Sequence, residues 1–147
     1  MGAIYPNWPP LVRLLAALEL LRGGHVIMVE RLPTGELVLM TKEVLEKHVQ
    51  VDRARRISLE DVQNLIQTPD YIYRDGRPAP NARGRYFAIK LKADPYGNVK
   101  IKRLIAHLKR CRKFFVFEVS FVSTVILAKK PPPQAKELWR RPGLLTS

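Results

Sequence analysis

The chain has 147 residues, 46% of them hydrophobic and 27% charged, which suffices for one domain around one core. Its single cysteine excludes a disulfide scaffold, its eight glycines a collagen-like repeat, and its aliphatic and aromatic content a wholly disordered chain. Lys and Arg total 26 against 13 Asp and Glu, and the net charge of +13 favours polyanionic partners such as nucleic acid.

In chain order, Pro9-Pro10 open a predicted amphipathic helix over 10–22, Leu11, Leu14, Leu15, Leu18 and Leu21 line one face, and Gly23-Gly24 stop it. Residues 25–32 and 36–40 flank Pro33-Thr34-Gly35 and read as a hairpin. Thr41 caps a short helix through His48. Ser58-Leu59-Glu60-Asp61 resembles a capping box, and Leu59, Val62, Leu65 and Ile66 form the apolar stripe of a helix that Thr68-Pro69-Asp70 ends. Residues 71–73 are a short strand and 76–84 (GRPAPNARG) a loop. Residues 85–92 form a strand with Phe87, Ile89 and Leu91 on one face and Tyr86, Ala88, Lys90 and Lys92 on a basic outer face.

Over 99–113, Ile101, Leu104, Ile105, Leu108 and Cys111 match helical spacing, which predicts a basic amphipathic helix; a strand over 99–105 is the competing reading. Residues 114–128 alternate as a strand, with Phe115, Phe117, Val119, Phe121, Val125 and Leu127 on one face. Straight, this stretch would span about 50 Å at 3.3 Å per residue, so a bend or bulge is expected near 120–123. The three consecutive prolines after Lys130 open a segment with little apolar pattern, in which Trp139 and Leu144 are the docking candidates. The expected architecture is α+β: a single domain over 1–130, with a small antiparallel sheet packed against two or three helices, followed by a flexible basic tail over 131–147.

The charge is unevenly placed. Residues 1–80 hold ten basic and ten acidic side chains, whereas residues 81–147 hold sixteen and three. Between Arg83 and Lys113 eleven basic residues face Asp94 as the one acid. Either one face is built to meet an anion or the run is a solvated surface. Cys111 has no partner in the sequence, which fits a reducing compartment and a cytoplasmic protein. Arg13 and Glu19 interrupt the first apolar run, and the run over 114–128 is short and carries Glu118, so neither a signal peptide nor a membrane helix is expected.

No Gly-rich phosphate loop, metal-ligand spacing or nucleophile elbow is present in the sequence, which leaves metal-free and cofactor-free work on a polyanion. The basic residues Arg85, Lys90, Lys92, Lys100, Lys102, Arg103 and Arg110, with His107, are the candidate nucleic-acid contacts, and Tyr86 and Tyr96 beside the lysines suit base stacking. Each has a plain alternative as a solvated or core residue.

The succession of His48, the capped helix 58–67, Thr68-Pro69-Asp70-Tyr71-Ile72-Tyr73-Arg74-Asp75, a loop, a basic strand and a closing strand with Val122-Ser123-Thr124 resembles the phage-associated branch of the barnase, EndoU, colicin and RelE-like nuclease superfamily, over roughly residues 37–127. Val49-Gln50 stands where that branch has Pro-Glu after the histidine, and Ser123-Thr124-Val125 where a Thr-Ala-Tyr-like end is common. The resemblance implies a toxin-like endoribonuclease that attacks through the RNA 2′-hydroxyl, with His48 as general base or acid; for that chemistry Thr124 is the candidate to position a phosphate oxygen, or else an ordinary strand residue, and Glu118 the candidate carboxylate, or else the neutralising partner of a nearby Arg. Alternatively, His48 is a helix residue packed beside Val44 and Leu45. The second function is then a non-enzymatic phage or mobile-element protein that docks on nucleic acid or on an acidic surface of a host machine such as RNA polymerase.

Overall fold

The computed structural model describes residues 25–49, 57–78, 83–92, 102–111 and 119–144. The helix expected over 10–22, Lys100 and Glu118 lie outside them. Strands β1 (Val26–Arg31) and β2 (Leu37–Thr41) form the expected hairpin, whose turn places Gly35 at φ +98°, a conformation that suits glycine. Thr41 then caps a one-turn helix α1 (Lys42–Val44), its hydroxyl accepting from the Val44 amide at 3.2 Å, and the chain widens into a π-type turn over Leu45–Val49. Helix α2 (Leu59–Gln67) opens with the predicted capping box: the Asp61 amide donates to the Ser58 hydroxyl at 3.1 Å, and the Ser58 amide donates back to the Asp61 carboxylate at 2.9 Å. Such a cap contributes about 1 kcal/mol.

Strands β3 (Tyr71–Asp75), β4 (Arg85–Lys92), β5 (Lys102–Cys111), β6 (Val119–Ala128) and β7 (Ala135–Arg140) complete one sheet in the order β1-β2-β6-β5-β4-β3-β7. Every pairing is antiparallel except β2 with β6, which run parallel from Leu37↔Val119 to Leu39↔Phe121. The protein is therefore built on a seven-stranded mixed sheet carrying two short helical segments among the described residues, which corrects the expected small antiparallel sheet on two or three helices.

Two segments account for the difference. Residues 102–111, expected as a basic amphipathic helix, are the central strand β5; Leu104, Ile105, Ala106 and Leu108 are buried on both faces of the sheet, so the alternation that marks a strand is lost. The expected flexible tail contains β7, an edge strand held through main-chain pairing with β3, from Asp75↔Ala135 to Tyr71↔Arg140. Asp70 adds a clamp: its carboxylate accepts from the Leu91 amide and from the Arg141 guanidinium, both at 2.8 Å.

One face of the sheet carries the helices. Val62, Leu65 and Ile66 of α2 are fully buried in a core with Met28, Met40, Ala88 and Leu104, the three helix side chains each contributing roughly 1.5–3 kcal/mol of burial. Lys90 and Lys92 share that face and reach α2, Lys90 donating to the Thr68 hydroxyl at 2.7 Å and Lys92 approaching Asp61 at 3.4 Å. The face expected to be outer and basic is thus the one the helix covers. Phe87, Ile89 and Ile105 are buried on the other side, with Tyr71, Tyr73 and Ile126 against them.

The bulge expected near 120–123 falls at Ser123: His107 pairs with Thr124 and Leu108 with Val122, leaving Ser123 as the extra residue. It shifts the register, so Val122 and Val125 join the helix-side core, and the expected grouping of Phe121 with Val125 and Leu127 is broken. From the end of β6, beside Arg103, the link over 129–134 returns to the start of β7, beside Asp75. Pro132 and Pro133 line a cavity with Phe87 and His107, so this link passes over the face opposite α2.

Candidate functional site

β3 and β4 are consecutive antiparallel strands joined by the 76–84 loop, so the side chains before and after that loop converge at one end of the sheet. Four arginines stand there, Arg74 and Arg77 around its start and Arg83 and Arg85 around its close, and Arg110 arrives from β5, its main-chain amide bonded to the Gly84 carbonyl at 2.9 Å. All five line a cleft of about 440 Å3 together with Tyr86, Asp75 and Leu138. Leu138 is the extra residue of a bulge in β7, since Ile72 pairs with Trp139 and Tyr73 with Glu137, and it stands 51% exposed at the cleft wall.

The arginines differ in how their charge is met. Arg77 grips the buried Asp75 with both ends of its fork, Nη2 to Oδ2 at 2.6 Å and Nε to Oδ1 at 3.0 Å. Those hydrogen bonds hold the Asp75 carboxyl below the usual carboxylate range against the opposing effect of burial. Arg110 pairs with Glu36 at 2.7 Å and lies over the Tyr86 ring at 5.2 Å. Arg74, Arg83 and Arg85 are exposed and make no salt bridge among the described residues. The Tyr86 hydroxyl is tied to Ser120, and burial holds its phenol well above the usual range. It serves as the floor of the cleft and is not free to stack on a base.

A second cavity of about 280 Å3 adjoins the first and shares Asp75, Arg77 and Arg85 with it. Its remaining wall is Phe87, His107, Leu108, Lys109, Ser123 and the two link prolines. His107 is half-buried, edge-on to Phe87 with ring centroids 5.0 Å apart and planes 85° apart. Burial, with Arg85 beside it, lowers the His107 pKa, so the imidazole is neutral at pH 7. Its Nε2 is buried and has no hydrogen-bond partner among the described residues.

The residues singled out from the sequence divide into three groups. Arg85, His107 and Arg110 come together at this end of the sheet. Lys90, Lys92, Lys102 and Arg103 lie toward the other end of the β4–β5 hairpin, where Lys92 pairs with Lys102, about 23 Å along the strand from the Arg85↔Lys109 pair at 3.3 Å per residue. His48 and Thr124 do meet, but through the His48 main-chain carbonyl, which accepts from the Thr124 hydroxyl at 2.9 Å; the His48 side chain is exposed and lines neither cavity. Arg74, Arg77, Arg83, Asp75 and Ser123 were not singled out as site residues. The signal for four of them was present as arginines and an aspartate flanking one Gly/Pro loop, but a division into neutral and basic halves at residue 80 cuts through that hairpin.

No group of His, Cys, Asp and Glu among the described residues is placed to hold a metal ion, and no described helix is long and apolar enough to cross a membrane. Comparison with protein-family models, curated proteins and solved structures finds no match.

Proposed function

We propose that the protein binds single-stranded nucleic acid by seating phosphates in the arginine cleft, RNA being the polymer that the resemblance favours. The observation that supports this is the convergence of five arginines on one concavity in which Asp75, the one lining carboxylate among the described residues, is already engaged by Arg77. Arg74, Arg83 and Arg85 are left to meet phosphate oxygens, for which a planar guanidinium fork is well matched. The reading is one of binding without cleavage, because among the described residues the cleft wall offers no carboxylate free to act as a base and the His48 imidazole stands outside it.

The test is fluorescence anisotropy with a labelled single-stranded RNA over a salt series. Three phosphate contacts predict a slope of log K against log salt of about −2. Replacing Arg74, Arg83 and Arg85 with Glu is expected to abolish binding. Replacing Lys102 and Arg103 with Glu, at the far end of the hairpin, is expected to leave most of it. Absence of binding at low salt, or loss confined to the Lys102 and Arg103 variant, overturns the proposal.

A further inference from the structure

The charge in the arginine cleft is concentrated. Of the five guanidinium groups that line it, Arg77 is closed onto Asp75 and Arg110 onto Glu36, while Arg74, Arg83 and Arg85 are exposed and make no salt bridge among the described residues. Three uncompensated positive charges therefore share one concavity of about 440 Å3, within the usual range of compact ligand pockets, roughly 300–1,000 Å3. The backbone holds them there: β3 and β4 carry Arg74 and Arg85, the loop between them ends on Arg83, and the Gly84 carbonyl ties that end to the Arg110 amide of β5.

The middle of an extended strand matches such a cluster poorly. Each internal phosphate carries one negative charge and two free oxygens, and a sugar separates it from the next. The end of a strand is different, because a terminal phosphate monoester carries about −1.5 to −2 charge at pH 7 and three acceptor oxygens. With the diester beside it, the total approaches the three charges that the cleft leaves unmet. A guanidinium fork takes two oxygens at once, so three forks arriving from β3, the loop and β4 suit a group that presents oxygens in three directions.

We propose that the cleft holds the phosphorylated end of the strand: the terminal monoester sits among Arg74, Arg83 and Arg85, and the chain leaves over the cleft rim. Lys109 stands opposite Arg85 in β5 and Lys136 opposite Arg74 in β7, outside the cleft lining, where they meet the diesters that follow. Leu138, exposed at the wall, gives the first nucleoside an apolar surface. The inference rests on the reading of the cleft as the phosphate site of a single-stranded nucleic acid and adds to it which phosphate is bound.

The experiment is a competition on the full chain against an internally labelled RNA at one salt concentration. The unlabelled competitors are strands of about ten residues with a 5′-phosphate, with a 3′-phosphate or with hydroxyls at both ends, and a hydroxyl-ended strand two residues longer that carries about the same charge as the phosphorylated ones. A phosphorylated strand is expected to compete about ten- to a hundredfold better than the longer hydroxyl-ended one, the worth of one additional charged hydrogen bond, and whichever phosphorylated strand does so identifies the end that is held. Arg74→Gln and Arg83→Gln, made singly at exposed positions, are each expected to cut that preference severalfold. Equal competition by all the strands, or a preference undiminished in both variants, overturns the end site and leaves the phosphate cleft standing. A nucleoside monophosphate that competes as well as the phosphorylated strand also overturns it, in favour of a site for free nucleotides. Failure of every strand to bind overturns the end site and the cleft together.

Discussion

The Thr124 hydroxyl donates to the main-chain carbonyl of His48 at 2.9 Å. β2 and β6 pair only through Leu39↔Phe121, after which β2 turns into α1 and the π-type turn, so this hydrogen bond fastens the returning chain to the stretch of β6 that β2 no longer covers. The contact uses the backbone of His48 and leaves its imidazole exposed. Thr124→Val is therefore expected to cost about 1 kcal/mol in denaturant unfolding, the usual worth of one hydrogen bond. His48→Ala is expected to change neither stability nor RNA affinity, and RNA incubated with the intact protein in EDTA is expected to remain whole. Cleavage that disappears in His48→Ala would restore the catalytic assignment.

Asp75 and Arg77 link fold stability to pH. The Asp75 pKa is depressed in the fold, so its stabilisation is complete above the ordinary carboxylate pKa, near 3.9, and is lost as pH falls through the lower folded value. The thermal midpoint of the intact protein should fall in that acid range, and Asp75→Asn should flatten this part of the profile while lowering the midpoint at neutral pH by a few degrees. The same substitution releases Arg77 and removes the one carboxylate that lines the cleft among the described residues, so RNA affinity at low salt is expected to rise. A variant that is destabilised and binds RNA more weakly would show that the pair shapes the cleft instead of neutralising it.

His107 titrates with the opposite chemistry. Its folded pKa lies below the unfolded value of about 6.5, so the unfolded chain takes up a proton first and stability declines as pH drops below 6.5, until the folded form is protonated as well. Unfolding midpoints measured from pH 7 to pH 5 should show this decline, and His107→Gln should remove it. An unchanged profile in His107→Gln would place the titrating group elsewhere.

β7 and the proline link are part of the structure, so deleting residues 131–147 is expected to lower the thermal midpoint by many degrees. The deletion leaves one edge of β3 unpaired, strips Arg141 from Asp70 and uncovers Phe87. Gly76 tests the same junction with one atom: a Cβ there would lie 2.0 Å from the Gln134 carbonyl oxygen, a backbone atom that cannot swing aside. Gly76→Ala is expected to cost on the order of 2–3 kcal/mol, at the upper end of ordinary point substitutions. Retention of the full midpoint in both variants would show that the link is dispensable.

The amino-acid sequence by itself determined the elements whose signals are local. The Ser58–Asp61 capping box, the turn at Gly35, the bounds of β4 and the bulge at Ser123 each follow from a few neighbouring residues, because capping, turn geometry and strand length act over that range. Tertiary structure alone decided the rest. β5 is buried on both faces and so lost its alternation, while its apolar residues happen to match helical spacing. β7 has no apolar stripe, because an edge strand joins a sheet through its main chain, whose hydrogen-bonding groups are the same in every sequence. The arginine cleft depended on which strand ends meet. A count along the chain ranked Lys100, Lys102 and Arg103 with Arg85 and Arg110, whereas antiparallel pairing set Arg85 opposite Lys109 and carried Lys102 and Arg103 to the far end of the hairpin.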